Sequence, residues 1–427
     1  MMKGKKGVVV IVILLAVCSA GNAHAQFWKG LFRKREAPRN YEKTMPKKEE
    51  PPVMRARPAV RKVEIEYPAT KIKRRYRIDV LVQLYLNDAD AGRKLMDHSV
   101  TGLEFYKGIK LATDTLNSFN YNMDVYVHDI GSAPTTPSML IKNKTLDSAD
   151  LIIGAVQGFD VSLLAEYARK HKVNFVSALS PSDVGVKNNP YFILQQATLQ
   201  VHCNHIMNTI EKKFPKREAI VFYRTSAPLD HNAFNCIQKD SNIVGIRKVL
   251  CNALPTKEDI APYLSDSKEN IIIITVLDNG YAETLLKLLY ELFPEHKFEV
   301  YGMPSWKTIP SLNKADAYPN IAVHITTPFY YDASTPNVRN VERAYHQEFG
   351  GKPNEITYRA YETLYWYAYL LAQYGTIFNN NMSDNSAALF NKFDVKPEWD
   401  KEANLLYNEN EHLYMLRYQN SSFTIEQ

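Results

Sequence analysis

The chain has 427 residues, 45% of them hydrophobic, which leaves room for two or three domains around a sizeable core. Its net charge of +6 is unevenly spread: residues 1–25 carry +3, residues 26–75 carry +10, and the other 352 residues hold 33 basic and 40 acidic groups. That distribution removes the overall pI of 8.8 as an argument for nucleic-acid binding by the folded part.

Residues 1–25 read as an export signal. Lys3, Lys5 and Lys6 precede an apolar run at 8–17, and Ala23-His24-Ala25 is a small-x-small cleavage site. The run is about ten residues, too short to span a bilayer comfortably. An alternative takes 15–18 (LAVC) as a lipid-attachment box with Cys18 as the anchor, although Val17 stands where Gly, Ala or Ser is usual. Residues 26–75 follow as a leader. Pro38, Pro46, Pro51, Pro52, Pro58 and Pro68 alternate with Lys/Arg clusters and no apolar periodicity, which predicts a disordered linker. Its start, 27–35 (FWKGLFRKR), reads either as a solvated spacer or as a contact with an anionic membrane surface or cell-wall polymer.

From residue 78 the pattern changes. Apolar, β-branched runs at 78–84, 123–129, 151–154 and 174–178 alternate with helix-period segments at 102–119, 135–147 and 160–172. Such alternation predicts a parallel sheet with helices on both faces. A second series begins near 198, with strands expected at 218–224, 243–250, 270–276, 297–302 and 321–326. Helices are expected at 199–213, 229–239, 257–264, 281–293 and 338–349. The aromatic-rich segment 358–375 is expected to be a core helix, and 412–418 with 422–426 a small two-stranded piece. Two such series predict two doubly wound lobes facing across a cleft, with ligand contacts on the loops at strand carboxyl ends.

The chemical motifs sought are absent: there is no Gly-x-Gly-x-x-Gly, phosphate loop, Gly-x-Ser-x-Gly or His-Glu-x-x-His. His202 and His205 read as polar residues in the first turns of a helix, and Ser180-Pro181-Ser182-Asp183 as a cap or ligand loop. Neither a metal nor a cofactor is expected, and the chain is read as a non-enzyme. With Cys18 removed, Cys203, Cys236 and Cys251 remain; Cys236 with Cys251 is the best candidate pair, and three unpaired buried thiols the alternative.

Five stretches in order carry a resemblance. They are residues 102–112 (GLEFYKGIKLA), 128–132 (HDIGS), 150–154 (DLIIG), 174–181 (NFVSALSP) and 189–192 (NPYF). Together they resemble the first lobe of type I periplasmic binding proteins, the branched-chain amino-acid receptor family that includes leucine-binding proteins. The resemblance runs from about 77 to 374. It implies two α/β lobes joined by three crossovers: lobe one at 77–197 plus 328–375, lobe two at 198–327 plus part of the tail, with 376–427 holding that part and a C-terminal extension. It also implies a periplasmic location, closure on a small ligand such as an amino acid or peptide-like solute, and delivery to an ABC transporter permease or a sensing role. Carried over by position, the implied ligand contacts are Gln157, Gly158, Ser180 and Ser182 in lobe one, and Asn279, Tyr281 and Ser305 in lobe two. Tyr85 and Trp306, on cleft-facing loops, would suit a ring or apolar stem, or else pack within their lobes. Pro304 and Ser305 stand where amino-acid receptors carry an acid for the ligand ammonium. A related domain in envelope lipoproteins that activate peptidoglycan synthases implies the second reading, a non-enzymatic cell-envelope interaction protein.

Overall fold

The computed structural model describes residues 65–86, 97–314, 317–419 and 422–426. The signal, Cys18 and the leader up to residue 64 lie outside the described residues. The chain divides into residues 66–398 with 405–427, which hold both lobes, and residues 1–65 with 399–404.

Lobe one begins with β1 (Tyr76–Val82), α1 (Val100–Ser118), β2 (Met123–Asp129), α2 (Pro137–Lys142), β3 (Leu151–Gly154), α3 (Phe159–His171), β4 (Asn174–Ser177) and β5 (Phe192–Leu194). Lobe two follows with α4 (Leu199–Lys213), β6 (Ala219–Tyr223), α5 (Pro228–Lys239), β7 (Ile246–Leu250), α6 (Lys257–Ile260), β8 (Asn270–Ile274), α7 (Asn279–Leu292), β9 (Phe298–Tyr301) and β10 (Ile321–Thr327). The chain then returns through α8 (Pro336–Phe349) and α9 (Glu355–Tyr374). It closes with β11 (Val395–Trp399), β12 (Leu405–Asn410), β13 (Tyr414–Gln419) and β14 (Ser422–Ile425).

Sheet one has the order β11-β12-β5-β4-β3-β1-β2, and sheet two β14-β13-β10-β9-β8-β6-β7. From β12 to β2 and from β10 to β7 all pairs are parallel. The edge strands β13 and β14 run antiparallel. The doubly wound two-lobe expectation is met, and the reason is visible in β8: Ile271 to Ile274 are buried without alternation because helices cover both faces.

The carboxyl tail departs from the expected boundaries. Residues 376–427 are expected to add to lobe two and to form a C-terminal extension, yet β12 pairs with β5 in sheet one, and Phe378, Met382, Phe393 and Val395 belong to the lobe-one core. Only β13 and β14 extend sheet two. The short, polar strand β12 (LLYNEN) carries little apolar signal of its own. The linker boundary also shifts, because residues just before 76 are attached to lobe one. The Thr70 hydroxyl donates to the Tyr374 carbonyl at 2.8 Å and Lys73 pairs with Asp150 at 2.5 Å.

In lobe one α1 packs against α9 at close range. A Cβ on Gly108 would sit 2.3 Å from the Thr357 carbonyl oxygen and 2.7 Å from the Ala360 Cβ, so only glycine permits this approach. Beside it Glu104 accepts from Lys107 at 2.7 Å, from the Tyr345 hydroxyl at 3.0 Å and from the Thr357 hydroxyl at 2.6 Å. Gly108→Val should cost about 1–3 kcal/mol by overpacking; an unchanged urea midpoint would show that the helices can part freely.

Cys203, Cys236 and Cys251 are all free and buried. The thiols that meet are Cys203 and Cys236, on the neighbouring helices α4 and α5, and not the pair favoured by chain spacing. Tyr361, Trp366 and Tyr367 of α9 are core residues, as the helix spacing predicts. Among the described residues no helix is long and apolar enough to cross a membrane.

Candidate functional site between the lobes

The chain crosses between lobes three times, after β5, after β10 and after β12. Each crossover leaves the carboxyl end of a strand, so the strand-end loops of both sheets turn toward the space between the lobes. The crossovers are tied to one another. Thr198 N–H donates to the Glu409 carboxylate at 2.6 Å, and Asn410 donates to the Gln195 carbonyl at 3.3 Å. The Tyr367 hydroxyl of α9 donates to the Gln195 side-chain oxygen at 2.7 Å. Burial pushes the Glu409 carboxyl up to about 8.

In lobe one the carried-over residues follow three adjacent strands, β1, β3 and β4. The loop after β1 is built around Asp129, whose carboxylate accepts from the N–H groups of Leu84, Tyr85, Leu86 and Gly131 at 2.8–3.0 Å. Burial alone would raise that carboxyl, but the N–H donors outweigh it and hold it below the usual range. Tyr85, at φ 57°, is thereby fixed edge-on to His98 with ring centroids 4.3 Å apart. Gln157 and Gly158 are exposed, with Gly158 at φ 55°, and the adjoining Phe159 is 76% exposed at the start of α3. Ser180 is buried and its hydroxyl oxygen accepts from Ser182 N–H at 3.2 Å; the Ser182 oxygen accepts from Val184 N–H at 3.2 Å. These serines therefore shape their own loop as a pair of side-chain turns.

In lobe two the carried-over residues follow the neighbours β8 and β9 and mostly hold those loops to each other. The Asn279 amide donates to the Ser305 carbonyl at 3.2 Å and to the Thr308 hydroxyl at 2.8 Å, while its side-chain oxygen is buried without a partner. The Tyr281 hydroxyl donates to the Cys251 carbonyl at 2.6 Å, and its ring lies under the Arg224 guanidinium at 4.2 Å. The Ser305 hydroxyl donates to the Leu277 carbonyl at 3.0 Å. Trp306 is wholly buried, with its indole N–H donating to the Val276 carbonyl at 2.7 Å. Of the two roles open to Trp306, packing within its lobe is the one found: the indole is part of the lobe-two core, because Gly302 leaves room for it. A Cβ on Gly302 would sit 2.2 Å from the ring.

A second group of residues, missed in the sequence, joins the lobes beside the crossovers. Lys307, next to Trp306, pairs with Glu355 of α9 at 3.0 Å. Glu355 also pairs with Arg359, which donates to Gln196 of the first crossover at 3.2 Å and lies 4.5 Å over the ring of Phe329 in the second. Burial would raise the Glu355 carboxyl; the Arg359 and Lys307 charges outweigh it and lower it. The available signal was the i, i+4 spacing of Glu355 and Arg359 at the start of an aromatic-rich helix.

This architecture can be compared with known proteins. The family model for periplasmic binding proteins matches residues 99–382. The chain belongs to the periplasmic binding protein family. Its fold is similar to that of an ABC transporter substrate-binding protein from Desulfitobacterium hafniense in complex with Leu, with a TM-score of 0.54 and 12% identity over 82% of this chain and 100% of that one. It is also similar to a branched-chain amino acid ABC transporter periplasmic ligand-binding protein from Burkholderia xenovorans, with a TM-score of 0.55 and 10% identity over 83% and 95%. LpoA from Haemophilus influenzae has a TM-score of 0.52 and 12% identity over 84% of this chain and 60% of that one. Among curated proteins no sequence matches this chain. This family member therefore shares the type I, leucine-binding-protein-like fold, as the sequence resemblance implied.

Proposed function

We propose that this chain is a periplasmic solute-binding protein that closes its two lobes on a small ligand and performs no chemistry on it. The observation that supports this reading is the convergence of strand-end loops from both sheets on a space spanned by three crossovers. Gln157, Gly158, Ser180, Ser182 and Asn279 are the residues through which an amino acid or peptide-like solute would be held, with Tyr85 beside them. The Asn279 side-chain oxygen, buried and unpaired, is the open acceptor of the set. An ABC transporter permease or a sensor is the partner this role calls for.

The test is thermal or urea unfolding in the presence of amino acids, short peptides and cell-wall fragments. A true ligand at a hundred times its Kd should add about 2.7 kcal/mol of stability. If no compound in that set shifts unfolding, the receptor reading loses its main prediction.

A specific observation supports a second reading, a cell-envelope interaction protein acting on peptidoglycan synthesis. Tyr281, Ser305 and Trp306 are engaged within lobe two, and the Lys307–Glu355 pair already spans the lobes. Retrieval of a peptidoglycan synthase or a cell-wall polymer by the tagged protein, alongside a silent ligand screen, would favour this alternative.

A further inference from the structure

Opposite the strand-end loops, the sheet of lobe one has a second edge, where the chain enters β1 to β5. These strands are parallel neighbours, so the segments leading into them share one face of the lobe. The segments are 66–75, 117–122, 141–150, 170–173 and 187–191. They hold nine Lys/Arg, all exposed, against three Asp/Glu. Lys73 and Arg75 pair with Asp150 and Asp124 at 2.5 and 2.6 Å; among the described residues the other seven form no ion pair. The matching edge of lobe two is nearly neutral: segments 212–218, 238–245, 261–269 and 291–297, which enter β6 to β9, hold seven Lys/Arg against six Asp/Glu. The helix dipole favours cations in last turns, as at Lys142 and Lys170. That cause acts on both lobes alike, and Lys71 to Arg75 lie in no helix, so it does not account for the difference.

Apolar side chains stand among these cations. Ile72 is 68% exposed and Phe119 62%. Phe119 and Tyr121 line a pocket of about 310 Å³ together with Lys73, Arg74, Asn120 and Asn122. A free guanidinium and two amide side chains suit a phosphodiester, and an exposed ring beside them suits the boundary between headgroups and acyl chains. The chain also reaches this face from a basic segment, since residues 26–65 carry 12 Lys/Arg and five Glu. A soluble polyanion would answer the charge but gives no reason to keep Ile72 and Phe119 in water. A bilayer surface answers both.

We propose that this face of lobe one docks on an anionic phospholipid bilayer. Ile72 and Phe119 enter the headgroup layer, a lipid phosphate sits on Arg74, Asn120 and Asn122, and the row of lysines from Lys144 to Lys187 lies along the surface. The contact uses the amino ends of the strands, so the loops at their carboxyl ends stay free for a solute.

Co-sedimentation with vesicles tests this, using the chain from residue 26 so that the apolar run at 8–17 is absent. Vesicles of phosphatidylcholine with phosphatidylglycerol at about 3:1 should bind about tenfold or more tighter than phosphatidylcholine alone. Replacing Lys144, Lys170 and Lys172 together with glutamine should weaken that binding about tenfold or more. The same change at Lys212, Lys216 and Lys268, on the opposite lobe, should leave it unaltered, with all variants keeping the parent unfolding midpoint. Phe119→Ser should weaken binding further at about 0.5 M salt, where the charges are screened. No preference for the anionic vesicles would overturn the proposal. So would equal losses from the two lysine sets, because the leader or the net charge would then carry the binding. Soluble polyphosphate bound as tightly as the vesicles, with no effect of Phe119→Ser, would assign the face to a polyanion and overturn the bilayer.

Discussion

Replacing His324 with leucine should lower the unfolding free energy by about 3 kcal/mol, the scale of leaving buried carboxylates without a hydrogen-bond partner. His324 is fully buried in β10, and its two ring nitrogens each meet a carboxylate oxygen at 2.8 Å, one from Glu299 and one from Glu426. Lys213 faces both acids, at 2.9 and 2.5 Å, which is why the loss is not larger. Burial alone would raise both carboxyls. The hydrogen bonds from His324 and Lys213 outweigh it, lowering Glu299 and holding Glu426 at about 2, against 4.5 for an ordinary glutamate. A folded-state value below the unfolded one means stability that is fully present above about pH 4.5 and lost as pH falls toward 2. Urea midpoints followed by circular dichroism at pH 7, 4.5 and 3 should fall with acid in the natural protein and less steeply in His324→Leu. Equal acid sensitivity in the two proteins would remove the network from the account of lobe-two stability.

Trp306→Ala should cost about 3–5 kcal/mol, the range for deleting a large buried aromatic. Trp306→Phe should cost less, about 1–3 kcal/mol, because it keeps most of the apolar contact but leaves the Val276 carbonyl without its indole donor. These variants separate the two roles that residue 306 was open to. As a core residue it should change the unfolding midpoint and leave ligand affinity unchanged in Trp306→Phe under conditions where the variant is folded. A preserved midpoint with weakened ligand binding would restore the cleft-facing role.

The strands of both lobes were legible because a parallel sheet covered on two faces needs unbroken apolar runs, and IDVLV and NIIIIT have no other ready explanation. The helices were legible from their spacing, and the aromatic crowding of 358–375 announced a core helix. The tail was not. β12, with the sequence LLYNEN, enters sheet one through parallel hydrogen bonds to β5 and through Asn408 and Asn410, whose amides donate to the carbonyls of Pro190 and Gln195. Backbone pairing across more than 200 residues leaves no local pattern to read.

The strand-end loops were placed correctly by fold logic, since a carboxyl-end loop follows wherever a strand is found. What each side chain does in its loop was not legible. Ser180 and Ser182 bond their own backbone, Tyr281 and Ser305 bond carbonyls of neighbouring loops, and Trp306 fills the space over Gly302. All five residues are of types that suit ligand binding and internal bracing equally well, and chain spacing does not distinguish them. The same limit hid the Lys307–Glu355–Arg359 bridge, whose partners lie 48 residues apart at Lys307 and Glu355 and meet only when the lobes come together.

The sequence by itself determined two doubly wound lobes and the loops that could carry a ligand, because those follow from local apolar periodicity. Only the tertiary structure decided which polar groups are spent on bracing, which thiols meet and where the tail pairs. Those outcomes depend on distances between residues far apart in the chain, and no local pattern encodes them.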